Sequence, residues 1–228
     1  METVVITGAN RGIGLEIAKQ LLNTNRKVIA GCRNPAEATA LNDLASDGDL
    51  SVLQLDVSDS DSIKVFCAQL SGQTIDVLIN NAGVLDREKQ GMLGVNAETW
   101  LETFKINSIA PFEVAVGLLE NLKKSSRPRI VSVSSQLGSL SLKGPGLYSY
   151  NSSKAALNQI MKIMSQDLEA DGFIVCPIHP GWVQTDMGGS EADITPQQSA
   201  GGIISFIDNL TMEQSGRFWQ WNGEEHPW

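Results

Sequence analysis

"TVVITGANRGIG" (residues 3–14) decides how the rest of the chain is read. Its first five residues, Thr3 to Thr7, are all β-branched, which suits a strand. Gly8, Gly12 and Gly14 then permit a tight turn and close approach of the backbone to a bound group. Ile13, Ile17, Leu21 and Leu22 follow at the spacing of one helical face. Strand, glycine-rich turn and helix in that order make a phosphate-binding unit, because the first helical N–H groups point at the anion. Glycines also mark ordinary turns. Their place between a strand and a helix favours the binding reading.

Outward from this unit the same alternation repeats. "KVIAGC" (27–32), "LSVLQL" (50–55), "DVLIN" (76–80), "RIVSVS" (129–134), "FIVCPI" (173–178) and "RFWQW" (217–221) read as further strands. Helices are expected over 35–46, 59–70, 97–123, 150–170 and 196–209. Near-continuous apolar strands alternating with helices predict an α/β fold. Its core is a doubly wound parallel sheet of about seven strands, Rossmann-type, with helices on both faces. One domain is expected to span 1–228. In such a sheet ligands bind at the carboxyl ends of the strands.

Composition narrows the function. The net charge of −9 argues against a nucleic-acid partner, which needs a basic stripe. No apolar run is long enough to cross a bilayer, and the chain enters its first strand directly after Met1 and Glu2. Cys32, Cys67 and Cys176 form no C-x-x-C pair and read as reduced core residues, which suggests a cytoplasmic protein.

The strand ends supply the candidate site. Gly8, Asn10, Arg11, Gly12, Ile13 and Gly14 are expected around a dinucleotide pyrophosphate. A free ribose hydroxyl calls for an acid after the second strand. Here Arg33 follows instead, with Arg11 in the glycine loop. Two guanidinium groups suit a 2′-phosphate, so the expected cofactor is NADP(H). After the third strand, "DVSDSD" (56–61) lacks the glycine and distal glutamate of a calcium loop, and no metal is expected. Asp56 and Val57 would border the adenine, and Asp59 or Ser60 would cap a helix. "NNAG" (80–83) places Asn80, Ala82 and Gly83 beside the first strand, in reach of the cofactor.

The chain has two tyrosines, both in "YSYNSSK" (148–154). In a helix starting near 150, Tyr150 and Lys154 are neighbours and Tyr148 is not. A nearby ammonium is expected to lower the phenol pKa, fitting Tyr150 for proton transfer. Ser134 and Ser135 follow the fifth strand and could hold a substrate oxygen. Asn107, four residues before Pro111, could be aimed inward by a bend.

As a set, "TGANRGIG", "DV" (56–57), "NNAG", Asn107, "SS" (134–135), "YNSSK" and "PGWVQT" (180–185) resemble the compact short-chain dehydrogenase/reductases. "GCRN" and the ending "GRFWQWNGEEHPW" are similar to the C-factor/sniffer-like carbonyl reductase branch. The resemblance implies a catalytic tetrad of Asn107, Ser135, Tyr150 and Lys154. Tyr150 would protonate the carbonyl and Ser135 would orient it. Lys154 would also hold the nicotinamide ribose, and Asn107 would serve a water-linked proton relay. Pro180, Gly181, Val183 and Thr185 would flank the nicotinamide, the last two at its carboxamide. Ser135 stands slightly further before Tyr150 than is usual in the family, which leaves Ser134 as an alternative. The segment after Thr185 is short where many relatives carry a lid. His179 reads as a satisfied structural residue, and Trp219, Trp221 and Trp228 as packing or interface rather than ligand contacts.

The function expected is NADPH-dependent reduction of a small apolar aldehyde, ketone or quinone-like compound. Leu137, Leu147, Trp182 and Met187 would form the mouth. A non-catalytic NADP-binding signalling or redox-sensing protein is the alternative, and it has no need of the tetrad. A sugar-nucleotide epimerase would usually need a longer C-terminal region. Stretches 110–122 and 155–168 are apolar beyond a single stripe. In the resembled family such helices pair between subunits, implying a homodimer, or a tetramer if the aromatic tail adds a contact.

Overall fold

Seven strands and eight helices alternate along the computed structural model, which describes residues 1–44, 49–88 and 90–228. The strands are β1 (Thr3–Thr7), β2 (Lys27–Cys32), β3 (Leu50–Gln54), β4 (Val77–Asn80), β5 (Arg129–Val133), β6 (Ile174–His179) and β7 (Trp219–Gln220). They lie in the order β3-β2-β1-β4-β5-β6-β7, and every neighbouring pair is parallel. The sheet thus grows outward from β1 in both directions, as the strand pattern predicts. The switch point falls between β1 and β4, where such sheets open a ligand crevice.

The helices are α1 (Gly12–Leu22), α2 (Thr39–Asn42), α3 (Ser60–Gln69), α4 (Ala97–Phe104), α5 (Ala110–Gly117), α6 (Leu119–Leu122), α7 (Tyr148–Asp167) and α8 (Pro196–Asn209). Alternation along β1 divides the core. Val4 and Ile6 pack with Ile17 and Leu21 of α1 and Ile203 and Ile207 of α8. Val5 faces the other way, with Phe66 of α3, Val114 of α5, and Leu157 and Met161 of α7. Complete burial of each such side chain contributes about 2 kcal/mol.

Several boundaries differ from the sequence reading. The helix expected over 35–46 is a 3-10 turn, Pro35–Glu37, then the short α2; Ala45 and Ser46 lie outside the described residues. Ala38 between them leaves the helical region (φ −80°, ψ 57°). The helix expected over 97–123 is interrupted by a π turn, Lys105–Ile109, and by Leu118 before α6. Helix α7 starts two residues early, at Tyr148. Strand β7 is short because Gly223 (φ 85°) turns the chain back, so that Trp219 meets Glu225.

At the amino ends of the strands an ion network closes the sheet. Arg26 donates to Glu2 (2.8 Å) and Asp208 (2.6 Å). Arg129, which is 2% exposed, donates to the other Glu2 oxygen and to the carbonyls of Ile207 (3.2 Å) and Arg127 (3.3 Å).

Candidate active site

Two glycines in the turn from β1 into α1 stand where there is no room for a side chain. A Cβ on Gly8 (φ +65°) would lie 2.9 Å from Ala82 Cα. One on Gly14 would lie 2.5 Å from Asn81 Nδ2 and the Gly8 carbonyl. Asn81 Nδ2 donates to the carbonyls of Thr7 (3.1 Å) and Gly8 (3.0 Å), and Thr7 Oγ1 accepts from the N–H groups of Asn81 and Ala82. This lock joins "NNAG" to the glycine loop. Among the described residues no side chain caps α1, whereas Asp59, Asn96 and Thr195 cap α3, α4 and α8. The first N–H groups of α1 therefore remain available to an anion.

The other expected cofactor residues lie along the same carboxyl edge. Asn10, Arg11 and Arg33 are exposed, and Ile13 packs half-buried against the core. Thr185 approaches the glycine loop, its Cγ2 3.4 Å from a Cβ placed on Gly12, and Arg11 pairs with the adjacent Asp186 at 2.9 Å. Burial raises the Asp56 carboxyl, but hydrogen bonds from Ser58, with Arg33 and Lys105 nearby, bring it below its ordinary value. Val57 beside it is half-buried. Asn80 is turned inward: its Nδ2 donates to the Pro111 carbonyl and Ser132 Oγ, both at 3.2 Å. Pro180 is buried with its carbonyl on the Ser199 hydroxyl (2.6 Å), Gly181 holds φ +87°, and Val183 pairs with Ile194.

Tyr150 and Lys154 are buried on one face of α7, while Tyr148 is 41% exposed with its ring edge against Trp100. Lys154 Nζ lies 5.8 Å from the Tyr150 ring centroid and donates to the Val133 carbonyl (2.8 Å). Burial pushes the ammonium down to about 8. Burial likewise pushes the Tyr150 phenol above its ordinary value, and hydrogen bonding to Ser135 and the charge of Arg87 only partly offset this. The direction is opposite to the lowering expected from helical spacing. Desolvation outweighs the neighbouring charges, and Nζ is engaged by a backbone carbonyl.

The two serines separate cleanly. Ser134 Oγ donates to Asn158 Oδ1 at 2.6 Å and is committed to α7. Ser135 is the serine at the phenol; its Oγ also accepts from the Leu137 N–H (3.1 Å). Asn107 sits in the π turn. Pro111 has no N–H to offer the Asn107 carbonyl four residues earlier, so regular α-helix is interrupted there. Its side chain holds Val84, accepting from the N–H (2.8 Å) and donating to the carbonyl (2.9 Å), and also donates to Ser153 Oγ (3.0 Å). Gly83 lies between: a Cβ there would be 3.3 Å from Asn107 Oδ1 and 3.6 Å from Lys154 Nζ. Asn107, Ser135, Tyr150, Lys154 and Gly83 therefore converge.

Thr7, Asn81, Arg87, Gln90 and Ser153 also belong to this constellation; the sequence reading held Thr7 and Asn81 only as members of "TGANRGIG" and "NNAG" and did not single out the other three. Thr7 and Asn81 were findable as polar residues at strand ends; the others come from loop and helix contacts that spacing does not encode. Trp182 and Met187 remain partly exposed, their segment held by Trp182 Nε1 on the Gly188 carbonyl (2.9 Å) and Arg87 on the Met187 carbonyl (2.6 Å). Leu137 and Leu147 line a cavity of about 660 Å³ with Tyr148 and Ser152.

His179 is structural but not satisfied. Its Nδ1 has no partner among the described residues, and burial plus the His226 ring 5.8 Å away push it down to about 4. Trp219 packs on Phe206 and Trp228 on Phe218, as expected of packing residues. Burial raises the thiols of Cys67 to about 11 and Cys176 to about 12, which leaves them unreactive. Among the described residues no cluster of three or more metal-binding side chains occurs, and no helix is long and apolar enough to cross a membrane.

With this architecture in place, the chain belongs to the short chain dehydrogenase family, whose model matches residues 2–194. It is 40% identical to C-signal of Myxococcus xanthus over 171 residues, 73% of this chain and 100% of that one. Over the full length of both chains it superposes on carbonyl reductase Sniffer of D. melanogaster with a TM-score of 0.95 and 33% identity. It superposes on the NADPH-bound carbonyl reductase from chicken fatty liver with a TM-score of 0.94 and 35% identity, covering 100% of this chain and 99% of that one. These similarities place it in the C-factor/sniffer-like branch.

Proposed function

We propose that the protein is an NADPH-dependent reductase of small apolar carbonyl compounds (aldehydes, ketones or quinone-like molecules), with Tyr150 as proton donor. The observation that carries this reading is the meeting of Ser135, Tyr150 and Lys154 near a glycine loop in which Gly8 and Gly14 have no space for a Cβ. Gly8, Asn10, Gly12, Ile13 and Gly14 would hold the diphosphate, Arg11 and Arg33 the 2′-phosphate, and Asp56 and Val57 the adenine. Asn80, Ala82 and Gly83 would lie along the cofactor, chiefly through backbone. Pro180, Gly181, Val183 and Thr185 would flank the nicotinamide, and Lys154 its ribose. NADPH, when bound, supplies the hydride. A phenol raised by burial is protonated at neutral pH, the form that donates to a carbonyl oxygen. Ser135 would orient that oxygen. Lys154, at about 8, can exchange protons near physiological pH and so recharge the phenol.

Cofactor choice tests the reading. Arg33→Asp should reduce the preference for NADPH over NADH by at least about a hundredfold in kcat/KM, since a carboxylate repels the 2′-phosphate and accepts from a free hydroxyl. A wild-type protein that prefers NADH would contradict the assignment. A signalling role without turnover takes its support from the relative named C-signal. Steady NADPH consumption with a panel of carbonyl compounds would set it aside.

The reading includes a twofold dimer in the cytoplasm. Phe112 and Val116 on α5 and Ile163 on α7 stay 43%, 50% and 45% exposed after one subunit has packed, and the three cysteines are free and buried. Trp219 and Trp228 pack against aromatics of the same chain, which weakens the case for a tetramer through the tail. Light scattering should give twice the 24.6 kDa of the chain; the monomer mass would reject the dimer.

A further inference from the structure

Helix α7 carries Tyr150 in its first turn, and among the described residues nothing in its own segment caps it. The N-cap residue is Leu147, whose side chain cannot accept a hydrogen bond. The first intrahelical bond runs from the Asn151 N–H to the Leu147 carbonyl (2.8 Å). The N–H groups of Tyr148, Ser149 and Tyr150 precede it and need partners from elsewhere.

Gln90, from the loop after β4, meets that need for Tyr148 and Tyr150. It is 2% exposed. Its main-chain carbonyl accepts from the Tyr148 N–H (3.3 Å), and its side-chain Oε1 accepts from the Tyr150 N–H (3.1 Å). The other end of the amide, Nε2, donates to Ser149 Oγ (2.6 Å), itself fully buried. Three consecutive residues of the first turn are therefore held by one side chain and its own backbone. The same loop is tied at its start, where Asn107 binds both backbone groups of Val84. One element thus connects Asn107 to the turn that bears the phenol.

We propose that Gln90 is a positioning residue for Tyr150: it caps the catalytic helix from a distant loop and thereby sets where the phenol points. The inference rests on the reading of Tyr150 as proton donor. A role confined to anchoring the loop would stabilise the fold without affecting turnover. A role in placing the phenol acts on the proton-transfer step, because small displacements of a reacting group are costly in rate.

The test compares Gln90→Met, which keeps size but removes both side-chain bonds, with Gln90→Glu, whose carboxylate can still accept from the Tyr150 N–H and from Ser149. Gln90→Met should lower kcat at least about tenfold, with KM for the carbonyl compound and Kd for NADPH within about twofold. Gln90→Glu should recover most of the loss. A readout independent of turnover uses the Tyr148→Phe background, where Tyr150 is the sole tyrosine and its phenolate is seen directly by ultraviolet absorbance. Adding Gln90→Met there should let water into the first turn and bring the phenol down towards its ordinary value. If Gln90→Met does not fold, Ser149→Ala removes only the anchor of the amide and should show the same split in kcat against KM. Unchanged kcat and unchanged titration, with only a lower Tm, would overturn the proposal. Tyr150→Phe separates the two failures. If it is inactive while Gln90→Met is fully active, only the positioning role falls; if it retains turnover, the proton-donor reading falls and the positioning role with it.

Discussion

Glu2→Ala is expected to lower the free energy of unfolding by about 3 kcal/mol, more than Arg129→Met. The reason is what each change leaves behind. Removing Glu2 strands the Arg129 guanidinium, 2% exposed, with only the carbonyls of Ile207 and Arg127 for partners. Arg26 suffers less, since it keeps Asp208 at 2.6 Å. Arg129→Met removes the buried charge itself and fills similar volume, and Glu2 keeps Arg26 at 2.8 Å. The double variant should therefore be more stable than Glu2→Ala alone. Urea unfolding of the three variants at neutral pH checks the order. A Glu2→Ala protein as stable as wild type would show that the network adds nothing to tying the start of β1 to β5 and α8.

The strands were legible because a parallel sheet covered on both faces demands near-continuous apolar runs, and "VVI", "VLI" and "IVSV" supply them. The glycine loop was legible for a related reason: Gly8 and Gly14 stand where any side chain would collide with Ala82, Asn81 or backbone. Helical periodicity also separated Tyr150 from Tyr148, because that distinction needs only the rotation per residue. Other features were not available to it. The π turn at Asn107 depends on Pro111, so a bend was foreseeable but its form was not. The resemblance favoured Ser135, but Ser134 stayed an alternative until Asn158 was seen to occupy it. The raised phenol was read with the wrong sign because spacing reports neighbours, whereas burial reports the whole surrounding fold. Gln90 lies 60 residues from the turn it caps, and nothing local in the sequence marks it.

Tyr150→Phe bears most directly on the central claim. The phenol is buried beside Ser135, and desolvation raises it further above neutral pH, so it stands protonated there. The hydroxyl is the only group the substitution removes, so the ring and its packing beside Lys154 persist. Loss of a positioned proton donor should reduce turnover by about a thousandfold. Binding of NADPH should survive, because Lys154, the glycine loop and Arg33 are untouched. Tyr148→Phe provides the control, its ring lying outside the site against Trp100. The decisive measurement is NADPH-dependent carbonyl reduction by the two variants alongside NADPH affinity by titration. The account predicts a Tyr150→Phe protein that binds NADPH yet scarcely turns over, and a Tyr148→Phe protein that stays active; a Tyr150→Phe protein with wild-type turnover would contradict it.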